Sequence, residues 1–321
     1  MLVIRATAAA ACTLLASCSG IQSTLSAFGA EAQSTRALTL TMAVAAAVIT
    51  IAVLAIAFHA VRAPEGSLDH RSGMRVILWL GAIGPTIILA ILLASTLPTM
   101  RTLAAKPGDL EIHVEGEQFW WRVQYKPAQG DPIESANEIR LPVGRTVTFL
   151  LTSPDVIHSF WVPGLAGKMD MIPGRTNRLV VQATATGKYR GTCAEFCGLS
   201  HAQMAFDVVA MEPREFDSWL AEQSKPAAPG TSAGERLFDQ YGCIGCHRVR
   251  GHAKGSPIGP DLTHFGSRPT LAAGILPMEA EAVAAFIRDP AASKPGVLMP
   301  SFKDMPDDDA RDIARWLMEL R

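Results

Sequence analysis

The sequence predicts two N-terminal transmembrane helices, then an all-β domain, then a small all-α domain. Three observations carry that reading: two charge-free apolar runs, a middle region of alternating apolar residues punctuated by turn signals, and helical periodicity resuming after a Pro-rich stretch. The 321 residues allow two compact domains, and an apolar share of 49% with mean hydropathy +0.20 is high for a purely soluble chain. A formal net charge of -1 gives no support to a nucleic-acid partner.

Residues 1–17 read as a signal peptide: Arg5 precedes an Ala-rich apolar run ending in Leu15-Ala16-Ser17-Cys18, the bacterial lipoprotein cleavage pattern. Cleavage there makes Cys18 the lipidated first residue of the mature chain; the alternative is an uncleaved leader in which Cys18 is simply a small residue. The membrane anchor is expected over 37–98. Ala37 to Phe58 and Val76 to Leu97 are free of charge, and each is long enough for the ~20 apolar residues that cross a bilayer as a helix. Arg62, Arg71 and Arg75 lie between them with Pro64 and Gly66, and a basic loop prefers the cytoplasmic side. Arg36, Arg101 and Lys106 reduce the asymmetry, but the leader agrees that both later domains face the periplasm. His59 reads as an interfacial residue. Gly81, Gly84 and Pro85 permit close packing or a kink in the second span.

Residues 105–222 form the expected β domain. Segments such as Glu111-Ile112-His113-Val114, Thr146 to Leu151 and Arg178 to Val181 read as strands, separated by turns at Pro127, Gly130-Asp131-Pro132, Pro142-Val143-Gly144 and Pro173-Gly174. Residues 223–231, with Lys225-Pro226-Ala227-Ala228-Pro229-Gly230, read as a flexible linker. The final domain, 232–321, has helical stretches from Glu235 to Tyr241 and from Asp307 to Leu320. The second opens on acidic residues and carries Ile313, Leu317 and Leu320 on one face.

The six cysteines fall into three local pairs, Cys12 with Cys18, Cys193 with Cys197 and Cys243 with Cys246. Pairs this close in sequence suit a metal or a haem better than a disulfide framework. Cys193, Cys197, His201 and Met204 share one loop, and His158 offers a further imidazole upstream. These soft ligands select copper, zinc or iron-sulfur chemistry. Zinc would be satisfied by two Cys and two His, leaving Met204 without a role. Two thiolates can instead bridge two coppers, each taking one His, with the Met sulfur and a backbone carbonyl as weak axial ligands.

The pattern Cys-x-x-x-Cys-x-x-x-His-x-x-Met, with an upstream His in Ser153-Pro154-Asp155-Val156-Ile157-His158-Ser159-Phe160-Trp161, resembles subunit II of cytochrome c oxidase over about residues 20 to 220. The resemblance implies a cupredoxin fold holding the dinuclear copper centre CuA. His158 and Met204 would bind one copper, His201 and the Glu195 carbonyl the other, with Cys193 and Cys197 bridging. It also implies that the Glu195 carboxylate touches a magnesium ion shared with subunit I, and that Lys168 to Arg175, including Asp170, faces that subunit. The family's electron-input segment is Gln-Trp-Tyr-Trp, whereas this chain has Gln118-Phe119-Trp120-Trp121, so Phe119 stands where the input tryptophan usually lies. The family's glutamate near the cytoplasmic start of the second span, used in proton uptake, has no counterpart in residues 74–97.

Cys243-Ile244-Gly245-Cys246-His247 is the c-type haem attachment motif: two thiols add to the haem vinyl groups and the adjacent imidazole binds iron. Residues 231–321 resemble a class I cytochrome c. Met278, Met299 and Met305 compete as sixth ligand. Met299 is preferred because it precedes Pro300 in an irregular stretch and its Met-Pro-x-Phe context resembles the family ligand, whereas Met278 and Met305 suit packing or exposure. His252 and His264 read as surface or propionate-neighbouring residues.

Together these resemblances imply a caa-type oxidase subunit. An external cytochrome c would supply electrons to haem c, and CuA would pass them to the haems of subunit I in a proton-translocating respiratory complex, with subunit III a further expected partner. No intramembrane histidine cluster is present to hold a catalytic haem and copper, so the chain alone is expected to lack oxidase activity. One rival is the CuA subunit of a nitric oxide reductase, kept open by the missing membrane glutamate. The other is a membrane copper-delivery protein, which has no use for the haem motif.

Overall fold

The computed structural model describes residues 20–321 apart from 65, 68, 104–107, 109, 127–131, 228–232 and 253–254. The leader and Cys18 therefore lie outside the described residues. The chain divides into two units, Ser34–Lys106 and the remainder.

In the first unit, helix α1 (Ala30–Arg62) begins earlier and ends later than its charge-free run, because the flanking Ala, Gln, Ser and Arg residues are compatible with a helix. The second apolar stretch, His70–Leu97, is a helix of comparable hydropathy. It comprises α2 (His70–Val76), a π-helical segment Ile77–Ile83, and α3 (Gly84–Leu103). The π segment has a local cause. Pro85 supplies no N–H, and the Gly84 N–H bonds back to the Trp79 carbonyl, so close that an added Cβ would meet that oxygen at 2.8 Å. Val44, Ile51 and Leu54 on one helix and Leu80, Leu89 and Ile91 on the other are all exposed. Apolar surface on this scale fits a lipid environment.

The second unit contains both later domains. The β domain has ten strands: β1 (Leu110–Glu117), β2 (Trp120–Lys126), β3 (Ile133–Ala136), β4 (Glu138–Pro142), β5 (Thr146–Thr152), β6 (His158–Trp161), β7 (Met169–Met171), β8 (Asn177–Gln182), β9 (Gly187–Cys193) and β10 (Ala205–Met211). They form two five-stranded sheets, in orders β3-β2-β1-β5-β8 and β4-β10-β9-β6-β7. Along β1 the residues alternate between buried and half-buried, so Leu110, Ile112 and Val114 point into the sandwich. There they join Trp121, Phe149, Phe160 and Phe206. This is the cupredoxin-like sandwich that the sequence predicts.

Helix α4 (Pro213–Ser224) closes the β domain, and α5 (Ala233–Gln240) opens the helical one. Of the expected linker, residues 228–231 lie outside the described residues, and 223–227 make contacts of their own. The Arg250 guanidinium donates to the Gln223 carbonyl at 2.6 Å and the Ser224 carbonyl at 3.2 Å, and the Ala227 N–H donates to the Arg250 carbonyl at 2.8 Å. Residues 223–227 are thus tied to the helical domain by backbone groups that sequence composition does not reveal. That domain continues through a short hairpin, β11 (Thr270–Leu271) with β12 (Leu276–Pro277), then α6 (Ala280–Arg288), α7 (Pro290–Ser293) and α8 (Asp307–Glu319). Helices α5 and α8 cross closely at Gly234, where a Cβ would lie 2.2 Å from the Asp312 carbonyl oxygen. Phe238 and Trp316 pack beside this crossing with ring centroids 5.1 Å apart.

Candidate copper and haem sites

His158 opens β6 and Cys193 ends β9; pairing of these strands through Phe160 and Cys193 brings the upstream imidazole to the cysteine loop. The loop then turns at Gly198, whose φ of +129° favours glycine, and passes through a 3-10 turn over His201–Gln203 to deliver Met204 at the edge of β10. Cys193 Sγ lies 3.8 Å from His158 Nδ1, 3.2 Å from the Glu195 carbonyl and 3.9 Å from Cys197 Sγ. Cys197 Sγ lies 3.6 Å from His201 Nδ1 and 3.8 Å from Met204 Sδ. His158, Cys193 and Cys197 form a buried potential metal cluster.

The thiols are unpaired by any disulfide. A hydrogen bond from Cys197 pulls the Cys193 thiol well down, to about 3, and the same interaction pushes Cys197 up. The pair thus already favours one thiolate. Burial opposes charging of His158, but its contacts with Cys193 and Asp155 outweigh that and raise its pKa. Two adjacent thiols, two imidazoles turned on them through Nδ1, a thioether and a carbonyl fit a dinuclear copper site; the geometry gives each sulfur an imidazole neighbour.

Several supporting residues were not legible in the ligand pattern. Asp155 Oδ1 lies 2.9 Å from His158 Nε2, and Asp155 Oδ2 accepts the Gln118 N–H at 2.7 Å. Gly116 leaves room for the imidazole, since a Cβ there would come within 3.1 Å of the His158 ring. The Gln118 side-chain amide donates to the Cys197 carbonyl. Asp155→Ala is expected to lower copper affinity by about 10- to 100-fold, because the bond that fixes the imidazole orientation is lost. Chelator competition would measure this, and unchanged affinity would show that Asp155 does not orient the ligand.

The three aromatic path candidates occupy different surroundings. Phe119 is only 3% exposed. Its ring lies within 3.1 Å of a Cβ built on Gly198 and 3.3 Å of one built on Gly296. Trp120 faces the other way, beneath the Arg122 guanidinium at 4.7 Å. Trp121 is in the core, its ring 6.3 Å from that of His158. Asp170 receives bonds from Ser159 Oγ at 2.8 Å and Lys168 Nζ at 3.1 Å, and Lys168 Nζ also lies 3.7 Å from the Glu195 carboxylate. Arg175 is exposed.

In the helical domain, Cys243 and Cys246 sit on a 3-10 turn entered through Gly242 at φ +72°. His247 Nδ1 lies 2.8 Å from the Pro260 carbonyl. Donation there leaves Nε2 free to face an iron, and burial lowers the ring's pKa, keeping it neutral. Gly259 packs against the ring face, where a Cβ would come within 2.8 Å. Unpaired thiols beside an oriented neutral imidazole fit covalent haem attachment. Met299 is half-buried against the domain core, whereas Met305 is 3% exposed within it. His252 lies between Glu235 at 2.8 Å and Asp239 at 3.0 Å. His264 is buried rather than on the surface, with Nε2 3.1 Å from the Lys225 carbonyl.

Comparison with known proteins finds relatives for both domains. Residues 124–211 match the family described as "Cytochrome C oxidase subunit II, periplasmic domain", and residues 231–321 match "Cytochrome c". Cytochrome c oxidase subunit 2 of Alkalihalophilus pseudofirmus is 37% identical over 78% of this chain and 75% of its own length. The protein of the same name from Bacillus subtilis is 30% identical over 77% and 72%. The periplasmic domain of subunit II of cytochrome oxidase from Bradyrhizobium japonicum is 32% identical, covering 37% of this chain and 95% of its own, at TM-score 0.35. With a relative above 30% identity spanning three quarters of its length, this chain belongs to the cytochrome c oxidase subunit 2 family, in the form that carries a cytochrome c domain after the copper-type domain.

Proposed function

We propose that the chain is the electron-input subunit of a haem-copper terminal oxidase. It takes electrons from a cytochrome c donor through its own haem domain and passes them by way of the copper domain to subunit I, where oxygen is reduced. The observation that best supports this reading is the placement of both candidate sites in one folded unit, with the haem domain's 294–296 loop against the copper loop. When bound, dinuclear copper and haem c supply the one-electron carriers. The residues do the rest. Cys193, Cys197, His158, His201, Met204 and the Glu195 carbonyl would hold the copper pair in a strand-anchored cage that limits rearrangement. Cys243, Cys246, His247 and Met299 would hold the haem, as an electron carrier. The Glu195 carboxylate, Asp170 and Arg175 belong to the surface turned to subunit I, Glu195 sharing a magnesium ion there. Subunit III and membrane lipid complete the assembly.

The anchor places both soluble domains on the periplasmic side of a bacterial plasma membrane, following signal cleavage before a lipidated Cys18. Intact-mass analysis of the mature chain decides the lipidation; a mass starting at Met1 with unmodified Cys18 would refute it. The full chain, produced with haem maturation, is expected to contain two coppers and one covalent haem. Metal analysis with an optical spectrum checks this, and stoichiometric zinc in place of copper would overturn the reading. Oxygen and nitric oxide consumption by the purified complex separates an oxidase from a nitric oxide reductase.

A further inference from the structure

The haem domain meets the copper domain through a set of contacts that the ligand motifs do not require. Lys294 is 2% exposed, yet its ammonium donates to the Gln203 carbonyl of the copper loop at 3.1 Å and to the Ala272 carbonyl at 3.0 Å. No carboxylate lies within ion-pair distance of it among the described residues. Burial pulls its pKa down to about 7, against the opposing influence of Cys197. A lysine kept in so costly a place is held there by its directed hydrogen bonds.

The neighbours of Lys294 extend the same contact. Ser200, fully buried between copper-ligand candidates, donates its hydroxyl to the Pro295 carbonyl at 2.6 Å. Gly296 approaches Leu199 and Phe119 so closely that a Cβ would lie 3.2 and 3.3 Å from them. On the other side, Ala272 and Ala273 both adopt positive φ, a conformation L-residues seldom take. Their turn aims carbonyls at the copper domain: Ala273 accepts the Ala205 N–H at 3.1 Å, and Gly274 accepts Arg190 at 2.6 Å.

We propose that Lys294 and Ser200 form a clasp that fixes the haem domain's Lys294–Gly296 loop on the copper loop, making the docked pose permanent and closing the Phe119 face to external cytochromes. Lys294 acts here as a positioning residue: it is not one of the candidate ligands, and it sets the register between the two loops that carry Met204 and Met299. The inference rests on the electron-input reading only for its consequence, since the clasp itself is a contact between protein groups.

The test uses the full chain and its Lys294→Met and Ser200→Ala variants. Met fills similar volume without the donor, and Ser200→Ala removes one hydroxyl and keeps the fold. Hydrogen exchange of the copper-loop amides, above all Ala205, should quicken about tenfold in Lys294→Met, equivalent to ~1.4 kcal/mol, and less in Ser200→Ala. At equal copper and haem content and unchanged melting temperature, flash-induced electron equilibration between haem and copper should also slow, a readout that a merely structural role would not move. Wild-type exchange in both variants would overturn the clasp. If Lys294→Met does not accumulate, Ser200→Ala exchange alone decides. Absence of haem or copper from the parent chain would defeat the electron-input reading instead, and the exchange result would still judge the clasp.

Discussion

Replacing Cys197 by Ser is expected to abolish the mixed-valence copper signal in electron spin resonance while leaving the haem spectrum intact. Cys197 is the hub of the candidate site: its sulfur lies within 3.9 Å of Cys193 Sγ, His201 Nδ1 and Met204 Sδ. A serine hydroxyl is a hard ligand that stays protonated near neutral pH, so it cannot serve as a soft anionic bridge. The haem motif is insulated from this loss because Cys243 and its neighbours pack in a separate core with Phe238, Ile313 and Leu317. Retention of the copper signal would mean that the bridge is wrongly assigned. Loss of both signals would mean that the two cores fold as one.

The ligands that lie together in sequence were legible from sequence. Cys193 to Met204 is one loop, and its soft donors announce a metal without any tertiary knowledge. Cys243 to His247 is likewise local, because covalent haem attachment needs two thiols and an imidazole at fixed spacing. His158 is different: the sequence offers it only as an available upstream imidazole, its place on one copper comes from the family resemblance, and the physical link is the pairing of β6 with β9, which periodicity alone does not specify. Asp155, Gly116 and Gly259 escaped notice because each acts on a ring brought to it by the fold. Lys294 escaped for the opposite reason, since an isolated lysine beside Pro295 and Gly296 reads as exposed loop, and only docking buries it. The contacts of the first linker residues were hidden on the same ground. A Pro-rich composition sets intrinsic stiffness and reach, but Arg250 and His264 tie its first residues down.

The last expected result concerns how electrons enter. Met299→Ala should slow turnover with cytochrome donors while the copper centre remains assembled, and Phe119→Leu should have the smaller effect. A Met/His pair raises the potential of a haem. Without the thioether the potential falls, and each ~59 mV of fall shifts a one-electron equilibrium with the donor tenfold against the haem. The copper ligands are untouched by this change, because Met299 packs with the haem-domain core. Phe119 stands where the resemblance puts the family's input tryptophan, yet it is 3% exposed and packed against Gly198 and Gly296. On the proposed route the haem domain supplies electrons from within the same chain, so the aromatic character of residue 119 should matter little to an external donor. Stopped-flow reduction of both variants separates the routes. Copper reduced at the wild-type rate in Met299→Ala, but severely delayed in Phe119→Leu, would show that electrons bypass the haem and enter the copper domain directly.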